Sequence, residues 1–121
     1  FHQLILATCG VTELSMEGQG ERVTARRGCL IPSSRYHEYQ GDGSNRTLVL
    51  DIPVAHLASL EKGSEIERLF DKPRFFSVPP ALNQLTHALA NQLEQCPALQ
   101  NESAILLLCT CKTPLLQRSG S

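Results

Sequence analysis

Gly28-Cys29-Leu30-Ile31-Pro32-Ser33-Ser34-Arg35-Tyr36-His37, continued by Glu38-Tyr39, governs how the rest of this chain is read. A glycine predicts a turn, a short apolar step follows it, and Pro32 fits a strand edge because proline cannot donate to a ladder. His37 stands five positions after that proline, where the chain is expected to return toward the interior. Basic and polar residues precede the stretch, and residues 46–53 after it alternate between polar and apolar. The expectation is the middle of a small antiparallel β-barrel.

The surrounding strands follow from the same alternation. Residues 3–9 are a short apolar run ended by Gly10, and residues 11–17 place Thr12, Leu14 and Met16 on one face, with Glu13, Ser15 and Glu17 on the other. Glu17-Gly18-Gln19-Gly20 predicts a hairpin turn, and residues 21–27 its partner strand, broken by Gly28. Residues 41–45 form a second loop, and the strand after it puts Leu48, Leu50 and Ile52 on one face. Short strands punctuated by glycine turns favour a barrel or sandwich over a parallel sheet.

Beyond Pro53 the pattern changes. Residues 54–60 and 64–70 predict short helices, residues 74–78 a short strand, and Pro79-Pro80 closes it. From residue 81 to about residue 95, Leu82, Leu85, Leu89 and Leu93 form the stripe of an amphipathic helix. Pro97 ends it, and Asn101 reads as the N-cap of a second helix running to about residue 112. Ile105-Leu106-Leu107-Leu108 makes this helix apolar nearly all round, and such a face calls for burial on several sides. A homodimer through the helix pair is therefore expected, using Leu82, Leu85, Leu89, Leu93, Ile105 and Leu108.

A chain of 121 residues with 41% hydrophobic and 19% charged residues is one ordinary globular domain. Its net charge of −1 gives no electrostatic footprint for nucleic acid or an anionic membrane. The longest apolar run, residues 104–109, is far too short to span a bilayer. The chain begins Phe1-His2-Gln3, with no signal-peptide pattern and no initiator Met, as expected of a fragment or a processed chain. Its five cysteines are scattered and include no C-x-x-C pair. Cys109 and Cys111 on a helix would point about 200° apart, which argues against a shared metal. They read as free thiols of a cytoplasmic protein.

Pro32 to His37 follows the P-x-G-x-x-H part of the second cupin motif, with Ser34 where glycine is usual and a shortened interval from Gly28. Then come Leu48-Val49-Leu50-Asp51-Ile52-Pro53, a linking segment, Phe75-Phe76-Ser77-Val78 and the leucine-rich helices. This succession resembles the N-terminal sensor domain of AraC-family transcriptional regulators, from about residue 2 to about residue 116. The resemblance implies a mainly β fold with C-terminal α: a cupin-like antiparallel barrel (jelly roll) over residues 1–53, linking turns and a short strand over 54–80, and two antiparallel helices over 81–116. It further implies a bacterial, cytoplasmic domain that binds a small effector and dimerises, with DNA contacted through helix-turn-helix units absent from this chain. Residues 75–111 contain no Lys or Arg, so these helices are unsuited to phosphate contact.

The chemical alternative is a small metal-dependent cupin enzyme, or else a free-standing small-molecule-binding module. A metal cupin needs three or four ligands converging on one ion, commonly an H-x-H pair, a glutamate and a second histidine. This sequence has no H-x-H, and its other histidines are His2, His56 and His87. A set of His2, His37 and Glu13 or Glu38 is the nearest approach, although Glu38 falls on the strand face opposite His37. His37 therefore reads as a hydrogen-bonded interior histidine or a contact for an organic ligand. Arg35, His37 and Tyr39 share a strand face by period two and, with Leu14 and Met16, form the expected pocket lining. For Arg35 the alternative is a position at the rim, and for Tyr39 simple packing. No metal, cofactor or catalytic nucleophile is expected, and Arg22, Arg26 and Arg27, lying among glutamates, read as a solvated face.

Overall fold

The structure, a computed structural model, describes residues 1–16, 19–33, 38–41, 46–60 and 63–119. Its first strand, β1 (His2–Cys9), carries the consecutive apolar residues Leu4, Ile5, Leu6 and Ala7, all buried. Successive strand residues point to opposite faces, so an uninterrupted apolar run needs cover on both sides. β1 has that cover. It lies inside a four-stranded antiparallel sheet of order β6-β1-β4-β7, with β4 spanning Arg27–Ile31, β6 Arg46–Ile52 and β7 Arg74–Ser77.

One face of this sheet meets a second, three-stranded sheet of order β3-β2-β5, built from β2 (Thr12–Met16), β3 (Gln19–Val23) and β5 (Glu38–Gly41). Ile5, Ala7, Cys29 and Ile31 pack there with Leu14 and Val23 from the smaller sheet, and Val49 and Phe75 lie against them. The opposite face presents Leu4, Leu6, Leu30, Leu50, Ile52 and Phe76 to the helices. Those are α1 (Val54–Ala58), α2 (Gly63–Arg68), α3 (Pro80–Gln95) and α4 (Gln100–Ser119), with a 3-10 turn, Pro97–Leu99, between the last two. The result is three layers: small sheet, large sheet, helices.

The mainly β architecture with C-terminal helices matches expectation, but the described strands form no closed barrel. Closure requires a continuous ladder around the circumference. Here β2 pairs only with β3 and β5, and β1 with β4 and β6, among the described residues. The passage from small to large sheet, between β3 and β4, is a single bridge, Thr24↔Arg27. The fourth strand of the large sheet is the short strand expected at residues 74–78: β7 pairs with β4 from Arg27↔Ser77 to Leu30↔Arg74.

Gly28 is a strand residue rather than the expected turn. It pairs with Phe76 inside the β4–β7 ladder. A Cβ at Gly28 would come within 2.7 Å of Leu6 Cδ2 and 2.7 Å of Phe76 Cζ, so the glycine is required by the close approach of two core side chains. The chain reverses instead at Ala25 and Arg26, where Thr24 and Arg27 exchange backbone hydrogen bonds of 3.0 and 3.1 Å. The Arg26 amide also donates to Thr24 Oγ1 at 3.1 Å, a side-chain turn bond that needs neither glycine nor proline. Positive φ is used at Gly10 (φ 73°), between β1 and β2.

α3 starts at Pro80, directly after Pro79, as proline at a first helical position allows. α4 begins at Gln100, so Asn101 lies within the helix and is not its cap. Nor is α4 buried all round: Ala104, Leu107, Leu108 and Cys111 face the core, whereas Leu106 is 48% exposed.

Candidate functional site

Three places gather polar chemistry: the space between the sheets, a cluster around His2, and a cleft between β6 and α3.

Of the expected pocket lining, Leu14 is the residue whose side chain is described, and it lies between the sheets. Leu14 is buried there and stands opposite Tyr39 in the β2–β5 register, while Met16 ends β2 opposite Gln19. Arg35 and His37 lie outside the described residues. Branched side chains fill the middle of the layer, and polar pairs stand toward its ends. At one end Gln3 Nε2 donates to Asp51 Oδ1 at 2.7 Å. At the other, the hydroxyls of Thr12 and Thr47 bond to each other. Cys29, in the middle, is inert: burial pushes its thiol up to about 12, a rise opposed by the Arg27 charge and assisted by Glu21. Its Sγ lies 3.7 Å from the Leu30 carbonyl oxygen, to which it donates weakly. The basic residues of the turn are solvated as expected, with Arg22 paired to Glu13 at 3.0 Å and Arg27 to Glu21 at 3.1 Å.

The sequence offers His2 only as a member of a possible metal set. In the fold it is 5% exposed and ties three segments together. The Ser33 amide donates to its Nδ1 at 3.0 Å, which makes Nδ1 an acceptor and leaves Nε2 as the donor to Glu67 Oε1 at 2.8 Å. The ring stacks on Phe70, with centroids 4.4 Å apart and planes at 4°. Both ring nitrogens are thus engaged. Glu13, the other proposed metal partner, is held by Arg22 on the outer face. Among the described residues no three His, Cys, Asp or Glu side chains are grouped to hold a metal ion.

The cleft between β6 and α3 has a volume of about 480 Å³. Arg46, Thr47 and Leu48 form one wall, and Ala90, Leu93 and Glu94 the other. The β1–β6 register shifts beside it, between Ala7 and Cys9. No sequence motif marked this cleft, because its walls are some forty residues apart in the chain.

Of the helix residues expected to dimerise, Leu82 and Leu108 are buried in the chain's own core. Leu85, Leu89, Leu93 and Ile105 are partly buried at its margin. No helix among the described residues is long and apolar enough to cross a membrane. No protein-family model, curated protein or solved structure matches this chain.

Proposed function

We propose that this chain is the effector-binding and dimerisation domain of a bacterial, cytoplasmic AraC-type transcriptional regulator, its two sheets being a cupin-type jelly roll. DNA binding would belong to a helix-turn-helix part outside these 121 residues. The observation that carries the reading is the apolar margin of the helix pair. Leu85, Leu89, Leu93 and Ile105 are only partly covered, and Leu106 on α4 is 48% exposed. An apolar row of this kind on a helix pair suits association with a second copy through the same face. The strand layers preceding it supply the other half of the reading, an apolar layer that contains Leu14 and has the Thr12–Thr47 pair toward one end, where an effector would seat.

Sedimentation equilibrium at micromolar concentration tests the association: a dimer supports the reading and a stable monomer rejects it. The coding sequence downstream of Ser121 tests the regulator assignment. Two helix-turn-helix periodicities there support it, and a stop codon or an unrelated domain removes it.

A further inference from the structure

We infer that the cleft between β6 and α3 is a binding site for a small zwitterion with an apolar side chain, the chemistry of an aliphatic α-amino acid. The site is separate from the space between the sheets and does not depend on it.

Size comes first. A volume of about 480 Å³ lies within the range of small-ligand sites, roughly 300–1,000 Å³. Its walls are mixed in character. Leu48, Ala90 and Leu93 supply apolar surface, and all three are only partly covered by the chain itself. Arg46 and Glu94 stand at the same cleft with opposite charges, one on the sheet and one on the helix.

The charge pair is the selective element. Arg46 Nη1 and Glu94 Oε1 are 3.8 Å apart, longer than a hydrogen bond, and the side chains are 71% and 67% exposed. A pair so placed contributes little to stability, so parting it costs little. A ligand carboxylate can take a bidentate seat on the guanidinium, the geometry for which arginine is best suited. A ligand carrying only a carboxylate would then face Glu94 as an unfavourable neighbour. An ammonium group on the same ligand answers Glu94 and leaves both protein charges matched.

The backbone is arranged for this. The register shift between Ala7 and Cys9 places Thr8 as an extra residue at the cleft. Bulges of this kind re-aim side chains and are common beside binding sites. Thr8 Oγ1 approaches the Arg46 carbonyl at 3.4 Å, holding the start of β6 against β1. Since one wall is the sheet and the other is α3, occupancy would bridge the β layers to the helix pair.

The test is a titration of the 121-residue chain with L-leucine, followed through backbone amide shifts. Two probes each lacking one charge run beside it: 4-methylpentanoate (no ammonium) and 3-methylbutylamine (no carboxylate). Saturable shifts at Thr47, Leu48, Ala90 and Leu93 with leucine are expected, with affinity falling at least about tenfold for either single-charge probe. Arg46→Gln and Glu94→Gln, both at exposed positions, should each weaken leucine binding by about tenfold or more while leaving the amide spectrum that of the folded chain. Three results would each overturn the inference: no saturable shift with leucine at millimolar concentration; either single-charge probe binding as tightly as leucine; or undiminished leucine binding by either variant.

Discussion

Phe76 lies directly across from Gly28 in the β4–β7 ladder, and its ring, with the Leu6 side chain, occupies the space where a Gly28 side chain would stand. The two partners are buried in the core beneath the helices, so neither can swing into solvent to make room. Gly28→Ala is therefore expected to destabilise the fold by about 1–3 kcal/mol, the usual cost of overfilling a packed interior. Urea unfolding measures this directly. A variant with the midpoint of the parent would mean that the Leu6 and Phe76 contacts are not as close as described.

The His2 cluster makes a second prediction. His2→Ala removes the stack on Phe70, the acceptor of the Ser33 amide and the packing of a buried ring. A loss of about 2–3 kcal/mol is expected from these together. Glu67→Gln keeps an acceptor for Nε2, on a side chain 44% exposed, and should cost less than about 1 kcal/mol. Equal losses in the two variants would show that the carboxylate charge, not the ring, holds the cluster.

Two thiols carry a pH signature. Burial pushes both Cys29 and Cys111 from 9.0 up to about 12, with the Arg27 charge partly opposing the rise at Cys29. A folded-state value above the unfolded one stabilises fully below the unfolded value and is lost as the pH rises through the folded one. Stability should accordingly fall between about pH 9 and pH 12, by up to about 1.4 kcal/mol per pH unit for each thiol. Cys29→Ser with Cys111→Ser, each compared with the parent across that window, would show a shallower decline. At mildly alkaline pH, iodoacetamide should label the exposed Cys109 in the native chain and spare Cys29 and Cys111 until urea is added.

The proposed dimer makes a fourth. Leu106→Glu places a charge on an exposed position of α4, so the folded chain should keep its thermal midpoint to within about 2 °C. The same substitution should raise the dimer dissociation constant by about tenfold or more, read by sedimentation. Unchanged association would move the interface away from this face of the helix pair.

How much of this was written in the sequence depends on how far apart the deciding groups lie. The alternation at Thr12-Glu13-Leu14-Ser15 and at residues 48–52 reports local burial, and both strands form where expected. The leucine spacing likewise found α3 to within a residue. Gly28 misled because its role is set by Leu6 and Phe76, which no local window contains. The true reversal at Ala25 and Arg26 uses a threonine side-chain bond rather than a turn glycine. His2 gained its importance from Ser33, Glu67 and Phe70, all more than thirty residues away. Leu82 and Leu108 belong to the same stripe as their neighbours, and only the packing of α3 and α4 on the large sheet separates core from margin.

The double coverage of β1 also bears on how the chain acquires its shape. This strand pairs with β4 and β6, whose partners lie about twenty-five and fifty positions downstream, as in Leu4↔Leu30 and Leu4↔Leu50. Such pairings close large loops before any apolar contact rewards them, which places folding on the millisecond-to-second scale rather than the microsecond scale of helix bundles. α3 and α4 can acquire helical turns early, yet the sheet surface on which they rest must wait for β1. Slow assembly would leave the run from Leu4 to Ala7 exposed for that interval, and it is this segment that a chaperone or a neighbouring unfolded chain would meet first.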